Sequence, residues 1–246
     1  MFTNFLLALF AYKSGALDKK GIICAYILGV LVFFADIKAY IVLLLFFVAE
    51  TVAETILNKR DNEKRSFLQV LANFCFPLIS LILIIVLRKN SFFVLFSALL
   101  AEVMSDTLAS TTGTKYAKKV FSVVGFKPIE KGVSGGISCI GTVAGFLGSL
   151  FVAVVYSLTS FIFRQQTSVS DFLFITAVGF FGMITDSVIG AVFQKKNQCE
   201  ICGKISDKCI CCNYESKHIR GLLTNSQVNF VTQFISFLVG LLLLNI

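Results

Sequence analysis

Long apolar runs, separated by short polar or basic segments, recur along the whole chain. A helix needs about 20 apolar residues to cross a hydrocarbon core that is roughly 30 Å thick. The candidates for such spans are residues 2–11, 21–35, 39–57, 67–87, 92–111, 136–163, 172–193 and 228–244. The first two runs are short enough to be partial or tilted spans, so the pattern predicts seven or eight spans.

Composition supports a membrane protein. Of the 246 residues, 57% are hydrophobic and only 15% are charged, a balance far from that of a soluble globular domain. We therefore predict an all-α integral membrane protein with about seven or eight transmembrane helices in total, of which all but the last form a helical bundle in residues 1–193. A cytosolic zinc-binding loop is predicted at residues 194–226 and a C-terminal transmembrane helix at residues 227–246. The 27 phenylalanines, in runs such as residues 92–96, are expected to face lipid.

Basic residues are distributed unevenly between the alternating loops. All but four of the 22 lysines and arginines lie in the first, third, fifth and seventh loops. The exceptions are Lys38, Arg88, Lys89 and Arg164. Loops rich in Lys and Arg stay in the cytosol, so these loops are predicted to be cytosolic and both termini to face outward across the cell (inner) membrane. Because the basic residues are dispersed and no aromatic side chains interleave with them, no nucleic-acid partner is expected.

Five carboxylates fall inside the predicted spans, near the ends that carry the basic loops. They are Glu50, Glu54, Glu102, Asp106 and Asp186. A carboxylate at membrane depth is costly unless it is paired, hydrated or bound to a cation, and a shared depth suggests a shared cavity. Spacing of i, i+4 puts the first two, and the next two, on one helical face, where Mg²⁺ would keep both charged. The alternative is that these acids, Glu50 and Glu54 above all, reach from helix ends to the surface.

A basic and then glycine-rich loop joins the fifth and sixth spans. Its candidate phosphate-binding residues are Lys127, Lys131, Gly132, Ser134, Gly135 and Gly136. Glycines let backbone N–H groups approach an anion closely, and a helix beginning near residue 136 would add its positive N-terminal end. Three further glycines, Gly141, Gly145 and Gly148, are more typical of close helix packing.

Five of the eight cysteines crowd into the seventh loop in the pattern Cys-x2-Cys-x6-Cys-x-Cys-Cys. A cytosolic loop stays reduced, and a Cys-x2-Cys knuckle followed by further thiols is typical of tetrahedral Zn²⁺. The preferred ligands are Cys199, Cys202, Cys211 and Cys212, although Cys209 or His218 could replace either of the last two. Four protein ligands would make a closed structural site in a loop too short to have a core. The other three cysteines are expected to be small packing residues.

Several short motifs occur in order along nearly the whole chain. They are Lys13-Ser14-Gly15-Ala16-Leu17, Arg65-x3-Gln69-Val70-Leu71-Ala72-Asn73, Asp106-Thr107-Leu108-Ala109-Ser110, Gly132-x2-Gly135-Gly136, Asp186-Ser187-x2-Gly190-Ala191-x2-Gln194 and Thr224-Asn225-x2-Val228-Asn229. This ordered set resembles the integral-membrane family of transmembrane protein 19 and plant phytyl-phosphate kinase (the domain of unknown function 92 family), which is distantly similar to CTP-dependent polyprenol kinases. The chain departs from the family pattern at Thr111 and Ser226, where the family often has an acid.

The resemblance implies phosphoryl transfer to an isoprenoid phosphate from CTP or another nucleoside triphosphate. In that case Asp106 and Asp186, with Glu102, would hold Mg²⁺ on the donor phosphates, and the lysines and glycines of the loop would bind those phosphates. Three asparagines would orient donor or acceptor oxygens: Asn73, Asn225 and Asn229. An acceptor that already carries a phosphate needs little deprotonation, and its prenyl tail is expected to stay in the lipid.

Two other functions are open from the sequence. A transporter or channel would use the buried acids to line an ion or proton path. Such a path must reach both faces of the membrane, whereas the acids cluster near one, which favours an enzyme. A catalytically silent scaffold, in which zinc supports the docking of a partner, is the third hypothesis, and a homo-oligomer is also open.

Overall fold

Eight α-helices make up most of the described part of the chain, which in this computed structural model is residues 2–57, 64–207, 210–212 and 214–244. The helices are α1 (Phe2–Ser14), α2 (Lys19–Ala35), α3 (Ile37–Ile56), α4 (Phe67–Leu87), α5 (Ser91–Tyr116), α6 (Cys139–Ile162), α7 (Val169–Phe193) and α8 (Asn225–Leu243). Six of them, α3 to α8, are long and apolar enough to cross a membrane. The predicted helical membrane bundle is therefore confirmed, while α1 and α2, with 13 and 17 residues, are short as expected.

Polar caps fix where several helices begin. The hydroxyls of Ser66, Ser168 and Thr224 each accept the N–H of the third residue of the following helix, and the side chain of that third residue accepts the N–H of the cap residue. These reciprocal bonds satisfy N–H groups that would otherwise lack partners at a helix start. The starts of α4 and α8 are thus fixed by their own sequence. Asn73 and Asn229 follow within the first two turns of these helices.

Helix α5 runs through the middle of the bundle. Of its most apolar 18-residue window, 83% is buried, whereas no other long helix exceeds 44%. The phenylalanine run at residues 92–96 is fully buried at the start of this helix, so the expectation that it faces lipid is wrong. A helix surrounded by other helices needs bulky side chains on every face to fill the space between them.

Small residues bring α6 and α7 close to α5. A Cβ atom added at Gly141 would lie 2.8 Å from the Ala109 carbonyl oxygen, and one at Gly148 would lie 3.0 Å from the Met104 carbonyl oxygen. Ser105 donates a 2.8 Å hydrogen bond to the carbonyl oxygen of Gly145. The predicted packing role of these glycines is therefore confirmed, because close approach of the helix backbones leaves no room for a side chain.

Contacts between loops place the odd-numbered loops at one end of the bundle. Leu17 of the first loop forms a β-bridge with Arg65 of the third. Lys115, in the last turn of α5, donates to a carbonyl at the end of α3, and Ser134 of the fifth loop donates to Asp207 of the seventh. The basic loops thus share one face of the molecule, as the alternation of spans requires, and their cytosolic orientation stays a prediction.

Short β-strands occupy this end. Strands β1 (Phe121–Ser122) and β2 (Gly136–Ile137) pair antiparallel. In the seventh loop, β3 (Lys196–Gln198) lies between β4 (Ile205–Ser206) and β7 (Lys217–Arg220), and β5 (Ile210–Cys211) pairs with β6 (Tyr214–Glu215). The prediction of a helix from residue 136 is wrong: residues 136–137 are in a strand, and α6 begins at Cys139 because the Ser138 side chain caps it by accepting the Gly141 N–H.

Candidate functional site

Three of the predicted acids meet in one small cavity between α4, α5, α7 and α8. Glu102, Asp106 and Asp186 line it together with Asn73 and Asn229, and Val103 and Gln233 complete its wall. Asp106 and Glu102 both act electrostatically on Asp186. Gly182 leaves room for the Glu102 side chain against α7, since a Cβ at residue 182 would lie 2.6 Å from Cγ of Glu102. Five residues that the sequence predicted as catalytic or binding groups are thus brought together; this set is called the acid cavity below.

Amide and hydroxyl groups hold the walls of the acid cavity. Nδ2 of Asn229 donates to Oδ1 of Asn73 at 2.9 Å, and Oγ1 of Thr232 donates to Oδ2 of Asp186 at 3.3 Å. Pro77 has no N–H, so it cannot give the carbonyl of Asn73 the hydrogen bond that a helix normally supplies from four residues on. Asn73 therefore lines the acid cavity with its side-chain amide and also carries a backbone carbonyl that lacks the usual helical donor.

The donor set of the acid cavity fits Mg²⁺ held partly by a substrate. Oε2 of Glu102 is buried and has no hydrogen-bond partner in the described part of the chain, as expected of an oxygen that a cation would bind. Among the described residues, the acids do not form a compact cluster able to hold an ion alone; only four cysteines do. Mg²⁺ commonly takes one or two carboxylates and completes its shell with phosphate oxygens and water.

Glu50 and Glu54 are held by an arginine instead of a metal ion. Nη1 of Arg65 lies 2.7 Å from Oε1 of Glu50, and Nη2 lies 2.7 Å from Oε1 of Glu54. Thr107 donates to the same Glu50 oxygen at 2.9 Å and accepts from Arg65 at 3.1 Å. The inference that a divalent cation keeps this pair ionised is therefore wrong, and Glu50, which is 4% exposed, does not reach the surface either.

The first loop fixes the backbone of Arg65. The N–H of Asp18 donates to the Arg65 carbonyl, and the N–H of Arg65 donates to the Ala16 carbonyl, each at 3.0 Å. Burial lowers the pKa of Arg65, but the two carboxylates outweigh it and the net shift is upward. Arg65 belongs to a motif of the sequence but had no predicted role; the informative signal was an arginine next to a helix start at the end where the acids lie.

The glycine-rich loop holds an anion that belongs to the protein itself. The backbone N–H of Ser134 donates to Asp207 at 2.9 Å, its hydroxyl donates to the same carboxylate at 3.0 Å, and Nε2 of Gln194 donates at 3.3 Å. Burial raises the pKa of Asp207, although the Ser134 donors and the charge of Lys196 oppose the shift. The loop thus shows the donors expected of an anion-binding turn, and a side chain of the seventh loop fills them.

Close packing on α7 sets the position of this loop. Gly135 has a φ of +77°, and a Cβ there would lie 2.3 Å from Cβ of Ala191, so only glycine fits. Lys196, which is 2% exposed, donates to the carbonyls of Ser134 at 3.1 Å and Ala191 at 3.2 Å. Burial and the charge of Arg220 lower the pKa of Lys196. No sequence pattern singled out Lys196, because its role depends on the fold of the seventh loop over α7.

The remaining predicted phosphate-binding residues lie around this loop. Lys127, Lys131 and Gly132 are exposed. Asn225 is placed here and not with the other two asparagines, since its Oδ1 lies 3.5 Å from Nε2 of Gln194. Gly190, whose carbonyl oxygen lies 3.1 Å from the Ser134 hydroxyl oxygen, follows Asp186 by about one helical turn. The loop and the acid cavity are therefore separated by about 6 Å along the axis of α7.

Four cysteines of the seventh loop form a compact cluster. The sulfur atoms of Cys199, Cys202, Cys211 and Cys212 all lie within 4.8 Å of one another, so the predicted set can hold a metal ion. The Cys202–Cys211 and Cys211–Cys212 sulfur distances are 3.6 and 3.8 Å. A tetrahedral zinc site with bonds of about 2.3 Å has sulfur atoms about 3.8 Å apart, which fits. A backbone N–H from Cys202 lowers the pKa of Cys199 to about 6, which favours the thiolate.

The other sulfur and imidazole groups play different parts. Cys209 lies outside the described residues, and His218 is exposed on β7, opposite Asn197. Cys24 is buried, as a packing residue should be, whereas Cys139 is exposed at the start of α6. Among the described residues, the four cysteines that the spacing favoured are the group able to hold a metal ion.

Comparisons with known proteins cover most of the chain. The model of the integral membrane protein family DUF92 matches residues 2–237. The uncharacterized membrane protein MJ0933 of Methanocaldococcus jannaschii is 29% identical over 245 residues, which are 97% of this chain and 90% of that protein. Protein PGR of Arabidopsis thaliana is 27% identical over 264 residues, covering 92% of this chain and 88% of that protein.

A shorter match concerns the chloroplastic protein VTE6 of Arabidopsis thaliana. It is 32% identical over 93 residues, which are 38% of this chain and 26% of that protein. No solved structure matches the chain. The family resemblance inferred from the ordered motifs is confirmed by a family match that covers nearly every residue: the chain belongs to the integral membrane protein family DUF92.

Proposed function

We propose that this protein is a membrane-embedded lipid kinase. It transfers the terminal phosphate of a cytosolic nucleotide, CTP or another nucleoside triphosphate, to an isoprenyl monophosphate of the phytyl type. The observation that carries the proposal is the convergence of Glu102, Asp106 and Asp186 with two asparagines at the end of the bundle where the basic loops lie. The resemblance of the ordered motifs to the family that contains plant phytyl-phosphate kinase supports the choice of acceptor.

The proposed reaction is an in-line displacement. A phosphate oxygen of the acceptor attacks the terminal phosphorus of the nucleotide, and the bond from that phosphorus to the bridging oxygen breaks, so that a nucleoside diphosphate leaves. The attacking oxygen is already ionised at neutral pH, which removes the need for a strong base. Catalysis then depends on positioning and on neutralising the phosphate charges.

The acid cavity supplies the means of neutralising that charge. Asp106 and Asp186, with Glu102, are proposed to hold Mg²⁺, which when bound would neutralise negative charge on the donor phosphates. Asn73 and Asn229 orient phosphate oxygens through their amide groups. Their mutual hydrogen bond of 2.9 Å sets both amides in place beside the acids.

The glycine-rich loop is proposed to bind the nucleotide phosphates about one helical turn from the acid cavity. Lys127 and Lys131 are exposed and free to meet an anion arriving from the cytosol. Within the turn, the N–H groups of Val133 and Gly136 donate to backbone carbonyls and that of Ser134 donates to Asp207, so a phosphate at Ser134 must displace the carboxylate of Asp207. In the seventh loop we propose structural Zn²⁺ on the four clustered cysteines.

Phosphate transfer by purified protein tests the function directly. Protein in lipid nanodiscs is incubated with terminally labelled nucleotides and a panel of prenyl alcohols and prenyl monophosphates. Labelled prenyl diphosphate that disappears in Asp186→Asn, but not in Asp171→Asn at the opposite end of α7, supports the kinase. A preparation that binds neither nucleotide nor prenyl phosphate but conducts cations or protons would favour the transporter instead.

A further inference from the structure

A second, larger cavity lies among α1, α2, α3, α4 and α5. It encloses about 110 Å³ and has 23 lining residues, of which only Asn4, Glu50, Arg65, Gln69 and Asn73 have amide or charged side chains. The rest of its wall is built from alanine and leucine side chains and aromatic rings. This mostly apolar composition is that of a site for a hydrocarbon chain, with few amide or charged side chains in its wall.

The cavity adjoins the acid cavity. Asn73 and Val103 line both, so a ligand can lie in the apolar cavity and reach the acids past the Asn73 amide. At this end Arg65 binds both Glu50 and Glu54, and the three side chains together carry a net negative charge. These side chains close the cavity toward the loops, and their net charge does not attract a phosphate. The acid cavity, where a metal ion is proposed to bind, is therefore the place for an anionic head group.

The opposite end of the cavity is closed by hydrogen-bonded side chains. Tyr40 donates to Oδ1 of Asn4 at 2.8 Å, and Thr3 lies 2.7 Å from the Tyr40 hydroxyl. Gly29 lets α2 approach this pair, since a Cβ there would lie 3.1 Å from Asn4. Tyr40 precedes Glu50 by ten residues on α3, so the two ends lie about 15 Å apart.

We propose that this cavity binds the hydrocarbon chain of the isoprenyl monophosphate while its phosphate lies in the acid cavity. The proposal rests on the proposed function and replaces the expectation that the tail stays in the lipid. It also gives the two short helices a role, because α1 and α2 form the outer wall of a tail-binding site. The polar pair at the closed end limits chain length, since extending a hydrocarbon past it would leave Asn4 and Tyr40 without partners.

Photolabelling in the absence of nucleotide tests the proposal without requiring catalysis. The probes are geranyl and geranylgeranyl monophosphates that carry a diazirine on the last isoprene unit, and labelled positions are mapped by mass spectrometry. The long probe should label residues near the closed end, on α1 to α3. Labelling confined to lipid-facing side chains, or lost equally to excess phosphatidylglycerol, would overturn the proposal in favour of an ordinary membrane lipid.

Substitutions that fill the cavity provide the second measurement. Leu44→Trp places a large ring in the cavity. Leu45→Trp is the control, because Leu45 is the next residue on the same helix and its side chain is 40% exposed. The cavity variant should reduce labelling by the long probe roughly tenfold, with less effect on the short probe, and the control should label as wild type. Ala25→Trp and its control Ile27→Trp repeat the comparison on α2 in case one variant fails to fold.

The two proposals can fail separately. If prenyl phosphate is phosphorylated with the same KM by Leu44→Trp and wild type at every chain length, the cavity is not the tail site although the kinase stands. If the cavity is labelled as expected but no nucleotide supports transfer, the binding site stands and the kinase does not.

Discussion

Ser134 holds the carboxylate of Asp207 through two donors, its backbone N–H at 2.9 Å and its hydroxyl at 3.0 Å. This contact joins the glycine-rich loop to the cysteine-rich seventh loop. A carboxylate that accepts from a glycine-rich turn occupies the position that a phosphate oxygen would take in an anion-binding loop. If the loop binds nucleotide, Asp207 competes with the substrate.

Removing this competitor should strengthen nucleotide binding. In Asp207→Asn the side chain keeps its size but loses the charge that the Ser134 donors hold, so a nucleotide phosphate displaces it more easily. We expect KM for the nucleotide to fall several-fold with kcat little changed. Glu215→Gln, an exposed position in the same loop, is the control. An unchanged or higher KM in Asp207→Asn would mean that the phosphate binds elsewhere.

Arg65 should be essential to folding at the loop end of the bundle. Arg65→Gln leaves the buried carboxylate of Glu50 without its counterion, which typically costs about 3 kcal/mol or more of unfolding free energy. The double variant Arg65→Gln with Glu50→Gln removes the unpaired charge and should recover a large part of that loss. Melting curves in detergent give both values. Equal stability of wild type and Arg65→Gln would rule out a structural ion pair here.

The contrast between Arg65 and the acid cavity shows what the sequence could predict. Apolar runs fixed the helices and the depth of all five acids, because membrane thickness leaves few alternatives. The same depth could not tell Glu50 from Asp186, since one meets an arginine brought in from another loop and the other meets two acids. Partners that come from distant parts of the chain depend on which helices are neighbours, and periodicity alone does not determine that.

The seventh loop gives the same lesson on a smaller scale. The spacing of its cysteines predicted the cluster correctly, because ligands close in sequence are constrained by tetrahedral geometry. Lys196 and Asp207 could not be predicted, as their contacts with the glycine-rich loop arise only when β3 and β4 lie over the end of α7. A long apolar run predicted lipid exposure for residues 92–96, but a central helix is equally apolar on every side.

Purified protein should contain about one zinc ion per chain, as four thiolates in one cluster form a complete site. Cys199→Ser should lose the metal and, with it, the order of the seventh loop, because binding and folding of such a loop are coupled. Cys139→Ser, an exposed cysteine outside the cluster, is the matched control. Metal analysis and limited proteolysis report the two effects. Protein isolated without chelators that contains no zinc would count against the site.

The orientation of the bundle can be measured by labelling in intact cells. After blocking of the native thiols that the reagent reaches, Lys131→Cys should be protected from an impermeant maleimide and Lys89→Cys should react. Both lysines are exposed, so access depends on the side of the membrane and not on burial. The distribution of basic residues underlies the expectation. Labelling of position 131 from outside would reverse the assigned orientation.

Charge at Asp106 and Asp186 should be required for phosphate transfer. Asn in either place keeps the size and much of the hydrogen bonding but cannot neutralise a metal ion, and the metal stabilises the charge that develops in the transition state. We expect turnover to fall about a hundredfold or more in each variant. Melting temperature should hold or rise, because a charge is removed from an apolar setting where it cost free energy.

The comparison with other acids makes this test specific. Glu54→Gln, which alters the arginine-bound pair, should lower the melting temperature more than it lowers the turnover per folded molecule. Rescue by Mg²⁺ provides a further readout: if Asp106 and Asp186 hold the metal, raising the Mg²⁺ concentration should partly restore the turnover of either single variant but not of the double variant. Wild-type turnover in both single variants at low Mg²⁺ would remove the acid cavity from the reaction, since no charge there would then be needed to hold the donor phosphates.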